Sequence, residues 1–141
     1  MANPRRDTPS VSAADVEIVS KGVEAYNRGD VEAVLAMTAP DVVLVPVRAL
    51  LEGGSYEGHD GVRRFMADMD EDWAERAIEI DEIRDLEGTI LVLGQFRAVG
   101  RSGVEVRQPL AWRSEVRDGK LIRLQAYSDV SVALNELGLS A

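Results

Sequence analysis

The sequence predicts an α+β fold: a curved, mainly antiparallel sheet covered by three helices from the front half of the chain. Three observations predict it. Between Val104 and Asp129, Val104, Val106, Gln108, Leu110, Trp112, Ser114 and Val116 fall on one strand face, and Glu105, Arg107, Arg113, Glu115 and Arg117 on the other. Asp118-Gly119 then turns the chain into a second strand, Leu121 to Ser128. The front half instead repeats its apolar residues at helical spacing. A hairpin with one apolar face needs cover, and the front helices can supply it. A curved sheet capped by helices makes a pocket.

The elements follow in order. Ser12-Ala13-Ala14-Asp15 resembles a capping box, and Val16, Val19, Val23 and Tyr26 continue on one helical face. Gly29 is placed to end that helix, and Asp30 to cap a short second helix, Val31 to Met37, stopped by Pro40. Asp41 to Arg48 reads as a valine-rich strand, with Pro46 marking an edge or a bulge. Leu50 to Asp60 reads as a glycine-rich loop. Asp60 then caps a third helix whose apolar stripe is Val62, Phe65, Met66, Met69 and Trp73. Ile78 and Ile80 alternate with Glu79 and Asp81 in a second strand. Thr89 to Gly100 is apolar enough for a central strand. Val130 to Leu137 suits a short terminal helix with Gly138 as its stop.

At 141 residues with 45% hydrophobic content, the chain can bury one domain core. Residues 1–11 read as a mobile tail and 12–141 as a single domain. A net charge of −9 argues against nucleic acid and against an anionic membrane surface. The absence of cysteine removes disulfides, thiol nucleophiles and thiolate metal sites. No apolar run reaches membrane-spanning length, and the first residues lack the apolar core of a secretory signal, so a cytoplasmic location is expected. No glycine pattern cradles a phosphate, and no cofactor is indicated.

Four local features carry a resemblance: Tyr26-Asn27-Arg28-Gly29-Asp30, Gly58-His59-Asp60-Gly61-Val62-Arg63-Arg64-Phe65, Arg117-Asp118-Gly119-Lys120 and Tyr127-Ser128-Asp129. In this order and spacing the chain resembles the nuclear transport factor 2-like superfamily, and within it the SnoaL-like (polyketide cyclase-like) group. The resemblance implies a cystatin-like α+β roll with a cone-shaped pocket, a homodimer, and a small apolar or polycyclic ligand. It also implies a choice between cofactor-independent acid–base chemistry (isomerisation, cyclisation or dehydration) and a non-catalytic binding or dimerisation module. Two known catalytic sets of the superfamily do not carry over. The steroid isomerase positions fall at Pro46, Gly22 and Trp112. Of the epoxide hydrolase cluster only Arg97 is matched, with Ala126 near the final aspartate position. For a cyclase-type acid and base, Asp129 is the nearest candidate.

Each candidate residue also has a plain structural reading. Asp129 is either an acid/base or the N-cap of the terminal helix. His59, the only histidine, stands either at the cavity mouth or in an exposed turn. Tyr26 could donate to a ligand oxygen or be a core tyrosine. Gln108 and Ser114 interrupt an apolar face and need partners. Arg48 could reach into the mouth or lie on the surface. The expected lining is Arg48, Phe65, Met66, Met69, Trp73, Gln108, Leu110, Trp112, Ser114, Leu124 and Ser128, and in the catalytic reading Asp129 is the acid/base while Tyr26 and His59 orient or polarise the substrate. The acidic run Asp68, Asp70, Glu71, Asp72 and Glu75 reads as a solvated helix face, so no metal site is expected.

Overall fold

The computed structural model describes residues 7–86, 89–127 and 129–136. The chain runs α1 (Asp7–Arg28), α2 (Val31–Ala36), β1 (Thr38–Val45), α3 (Val47–Glu52), β2 (Tyr56–Glu57), α4 (Gly58–Asp72), β3 (Trp73–Asp85), β4 (Ile90–Gly100), β5 (Glu105–Arg117), β6 (Lys120–Tyr127) and α5 (Val130–Glu136). The six strands form one sheet in the order β2-β1-β6-β5-β4-β3. β3 to β6 are an antiparallel meander, and the β1–β6 pairing is parallel. Asp118 (φ 53°) and Gly119 (φ 77°) both take the left-handed conformation that a tight β5–β6 turn requires.

The two faces of the sheet are covered from different parts of the chain. Val92 and Trp112 pack with Val19 of α1. Leu91 and Ala111, their neighbours of opposite parity, pack with Ala133 of α5. This double cover explains why β4 reads as continuously apolar: Leu91 and Val92 are both wholly buried. Against β1, α4 supplies Val62, Met66 and Met69 to a further cluster that also holds Tyr26, Val42 and Leu44.

Two contacts fix the helices to the sheet. Asn27 lies at the end of α1 beside the free edge of β3. Its Nδ2 donates to the Ile78 carbonyl and its Oδ1 accepts from the Ile78 amide, both at 2.9 Å. The side chain thus pairs the edge strand as a neighbouring strand would. At the other helix, Arg101 from the β4–β5 turn donates to the last-turn carbonyls of Asp70 and Glu71, which closes the end of α4.

Several boundaries differ from expectation. α1 starts at Asp7 rather than at the Ser12 cap. Pro9 is tolerated there because the first-turn amides have no helical partner. Residues 1–6 of the expected tail lie outside the described residues. α2 ends at Ala36, and Pro40 does not stop it; Pro40 is an exposed residue of β1, between Thr38 and Val43, where the β1–β6 register shifts. Pro46 stands just before α3, a short helix in what read as the end of a strand and a loop. Trp73 opens β3 instead of closing α4's stripe. Gly94 in β4 lies where β3 carries a bulge between Ile80 and Glu82, and the Glu79 carbonyl fills the space a Cβ would need.

Candidate ligand pocket

A cavity of about 140 Å³ lies between the helices and the sheet. α1 lines it with Ile18, Val19, Gly22, Val23 and Tyr26, a spacing that keeps all five on one side of the helix. α4 contributes Val62, Phe65 and Met66, β5 Leu110, Trp112 and Ser114, and β6 Leu121, Leu124 and Ala126. Thr38, Leu44, Pro46 and Val47 close it on the β1 side, and Ile78 on the β3 side. Gly22 holds part of this space open, since a Cβ built there meets nothing within 4 Å.

The few polar side chains in the wall are mostly occupied. Trp112 Nε1 donates to Ser114 Oγ at 3.0 Å, and Thr38 Oγ1 donates to the Leu35 carbonyl at 3.1 Å. Among the described residues, no carboxylate, histidine, lysine or arginine lines the cavity. Tyr26 is the titratable group in the wall. Burial pushes its hydroxyl up to about 12, against the opposing pull of the Arg76 charge. At neutral pH it is therefore an un-ionised hydroxyl that can donate a hydrogen bond but cannot serve as a base. Its ring stacks on Phe65 with centroids 5.8 Å apart, and the Arg76 guanidinium carbon lies 4.7 Å from the ring centre.

Of the expected lining, the fold brings together Tyr26, Phe65, Met66, Leu110, Trp112, Ser114 and Leu124. The others stand elsewhere. Asp129 is exposed, and its Oδ1 accepts from the Ser131 amide at 2.6 Å. It serves the terminal helix as a cap, with no place in the wall. His59 is half-buried, and its Nε2–H donates to the Thr38 carbonyl at 3.0 Å, which ties the start of α4 to β1. Arg48 turns outward and joins α3 to α4: Nε donates to Asp72 at 2.8 Å and Nη1 to the Tyr56 hydroxyl at 3.3 Å. That hydroxyl in turn donates to Asp68 at 2.7 Å. Asp72 raises the pKa of Arg48 above its ordinary value, so it stays charged throughout. Met69 and Trp73 pack in the core near Phe65 without reaching the cavity. Gln108 is exposed, because the first part of β5, Glu105 to Pro109, is open to solvent along most of its length. Ser128 lies outside the described residues. The sequence reading missed Gly22, Thr38 and Leu121 in the wall, and Arg76 behind Tyr26.

The architecture is thus a mixed α+β roll with one sheet, helices on its inner face and an apolar cavity between them. The SnoaL-like domain family matches residues 19–124, and the chain belongs to that family. No curated protein matches the chain. Among solved structures it is similar to TerC, co-crystallised with polyporic acid, with a TM-score of 0.74 at 23% identity over 88% of this chain and 97% of that one. It is similar to an NTF2-like protein of unknown function from Burkholderia pseudomallei K96243, with a TM-score of 0.73 at 26% identity over 86% and 95%. A protein from Xanthomonas campestris pv. campestris, proposed as a polyketide cyclase, gives a TM-score of 0.72 at 20% identity over 89% and 97%.

Proposed function

We propose that this SnoaL-like protein binds a small apolar, ring-containing molecule in the pocket between α1, α4 and the sheet, and that binding rather than acid–base turnover is its activity. One observation carries this reading. The wall is apolar, its Ser114 and Thr38 hydroxyls are engaged, and Tyr26 is its one titratable group among the described residues. An acid–base mechanism needs a group whose pKa lies near the working pH and that reaches the substrate. Asp129 is used as a cap, His59 as a tether, and Tyr26 loses its proton only near pH 12. A cavity of about 140 Å³ suits a ligand of one or two rings, since an apolar cavity of about 150 Å³ takes up benzene. The TerC protein, with a similar fold, was co-crystallised with polyporic acid, which supports a small-molecule reading.

The test is a titration of the protein with naphthalene, followed by methyl NMR of Val19, Leu124 and Ala126. Saturable shifts at these three lining residues support the reading. Shifts absent from them, or confined to exposed residues such as Leu51 and Val132, refute it. The homodimer implied by the family is checked separately by analytical ultracentrifugation.

A further inference from the structure

A pocket needs a way in, and the elements that wall this one are not held equally. α1 is bonded to β3 through Asn27 and Ile78. α2 is bonded to β6 through the Met37 carbonyl, which accepts from the Leu121 amide at 2.8 Å. α4 is tied at its start by His59 to the Thr38 carbonyl and at its end by Arg101. α3 differs. The backbone bonds of its segment stay inside the segment, from the Leu50 amide to the Pro46 carbonyl and from the Gly54 amide to the Ala49 carbonyl. Pro46, its N-cap, has no amide hydrogen and makes no side-chain cap bond. Among the described residues, the polar tie from α3 to its surroundings is Arg48, with Nε on Asp72 of α4 and Nη1 on the Tyr56 hydroxyl.

The position of α3 gives this loose attachment its meaning. Pro46 and Val47 line the cavity, whereas Leu51, one turn beyond Val47, is 77% exposed. The helix thus runs from the cavity wall into water, and moving it opens the cavity to solvent. The segment is also built to move as a unit. Its two ends meet, because Leu44 pairs with Tyr56 at its base, so residues 46–55 can swing while the sheet stays intact. Gly53, at φ 77°, and Gly54 stand together after the helix, where backbone angles change at little cost. The ion pairs of Arg48 with Asp72, Asp68 and Glu52 are partly exposed, and pairs of that kind are weak enough to break and re-form thermally.

We propose that α3 is the gate of the pocket and that Arg48 latches it to α4, so that a ligand enters and leaves by outward movement of residues 46–55. This rests on the apolar-ligand reading of the same pocket. A latch sets how often a gate opens, and has no part in how tightly the closed pocket holds its ligand. Releasing it speeds entry and exit together and leaves Kd where it was.

The test is stopped-flow fluorescence of naphthalene binding to the wild-type protein, Arg48→Met and Asp72→Asn. Each variant should raise the association and dissociation rates alike, by about fivefold, with Kd unchanged. Damage to the pocket wall alone would speed dissociation and weaken binding without speeding association. Hydrogen exchange on the wild type needs no variant to fold. There the amides of Leu50, Gly53 and Gly54 should exchange together, and faster than the Leu121 amide that holds α2 to β6. Association rates unchanged in both variants, or α3 amides that exchange no faster than that of Leu121, overturn the gate and leave the apolar-ligand reading standing. Naphthalene that does not bind overturns both.

Discussion

Replacing Gly22 separates the two demands placed on the middle of α1. A glycine inside a helix costs about 1 kcal/mol relative to alanine, because the unfolded chain has more freedom to lose. Nothing in the surroundings requires it sterically: its φ is not in the left-handed region, and an added Cβ meets no atom within 4 Å. Gly22→Ala should therefore stabilise the protein by about 1 kcal/mol, a rise in Tm of about 4 °C. Gly22→Leu sends three further carbons into the cavity of about 140 Å³. At about 0.8 kcal/mol per buried carbon these give about 2 kcal/mol, less about 0.7 for the fixed side chain. The leucine variant should thus be the most stable of the three, by about 2 kcal/mol over wild type, and should no longer bind naphthalene. Urea denaturation with and without ligand reads both quantities. A leucine variant that binds as wild type does would show that the space beside Gly22 is not the ligand site, and an alanine variant no more stable than wild type would refute the helix-propensity argument.

Other outcomes follow from single contacts. Asn27→Ala should cost about 1 kcal/mol by removing both bonds to the exposed edge of β3, and amide exchange at Ile78 should quicken. Gly94→Ala should cost about 3 kcal/mol in urea denaturation, since its Cβ meets the backbone carbonyl of Glu79, which cannot rotate away as a side chain would. Tyr26 makes stability fall in alkali. Its folded pKa of about 12 exceeds the unfolded value of 10.0, so its contribution is whole below pH 10 and lost as pH rises to 12. That loss is about 2–3 kcal/mol, and the part of the alkaline slope it causes should vanish in Tyr26→Phe, leaving that of Tyr56, whose pKa burial also raises. Arg48→Met should cost about 1 kcal/mol in urea denaturation, because its pairs with Asp72 and Asp68 are partly exposed.

The order of helices and strands was legible because long elements announce their period. Val16 to Tyr26 and Val62 to Met69 repeat at helical spacing, and Val104 to Val116 alternate. Two-turn α3 and two-residue β2 carry too few residues for any period to show. Trp73 fitted the stripe of α4 and the start of β3 equally well, and only the pairing with Gly100 decides between them. Along β5, parity put Leu110, Trp112 and Ser114 on one face, and that face borders the cavity. The same parity put Gln108 in the wall because alternation says which face a residue takes and not how far the cover extends. Gly22 entered no apolar pattern, having no side chain, and was marked only by falling at a steroid isomerase position. Arg76 left no sign because its contacts, Tyr26 and Asp70, lie fifty residues before it and on the preceding helix. Asp129 was read both as a cap and as a catalyst; its bond to the Ser131 amide assigns the cap.

The parallel pairing of β1 with β6 bears on how the molecule is made. Residues 38–45 wait for partners at 121–125, while β3 to β6 need only their immediate successors. On the ribosome the meander can zip strand by strand as it emerges. β1, though translated early, has only the two-residue β2 beside it until the last strand is free, and meanwhile its other edge is open. The late strand completes the pocket as well, since Leu121, Leu124 and Ala126 are part of its wall. A nascent chain stalled before Lys120 would therefore hold helices and most of a sheet, yet have no ligand site, and β1 would be the stretch most exposed to a chaperone.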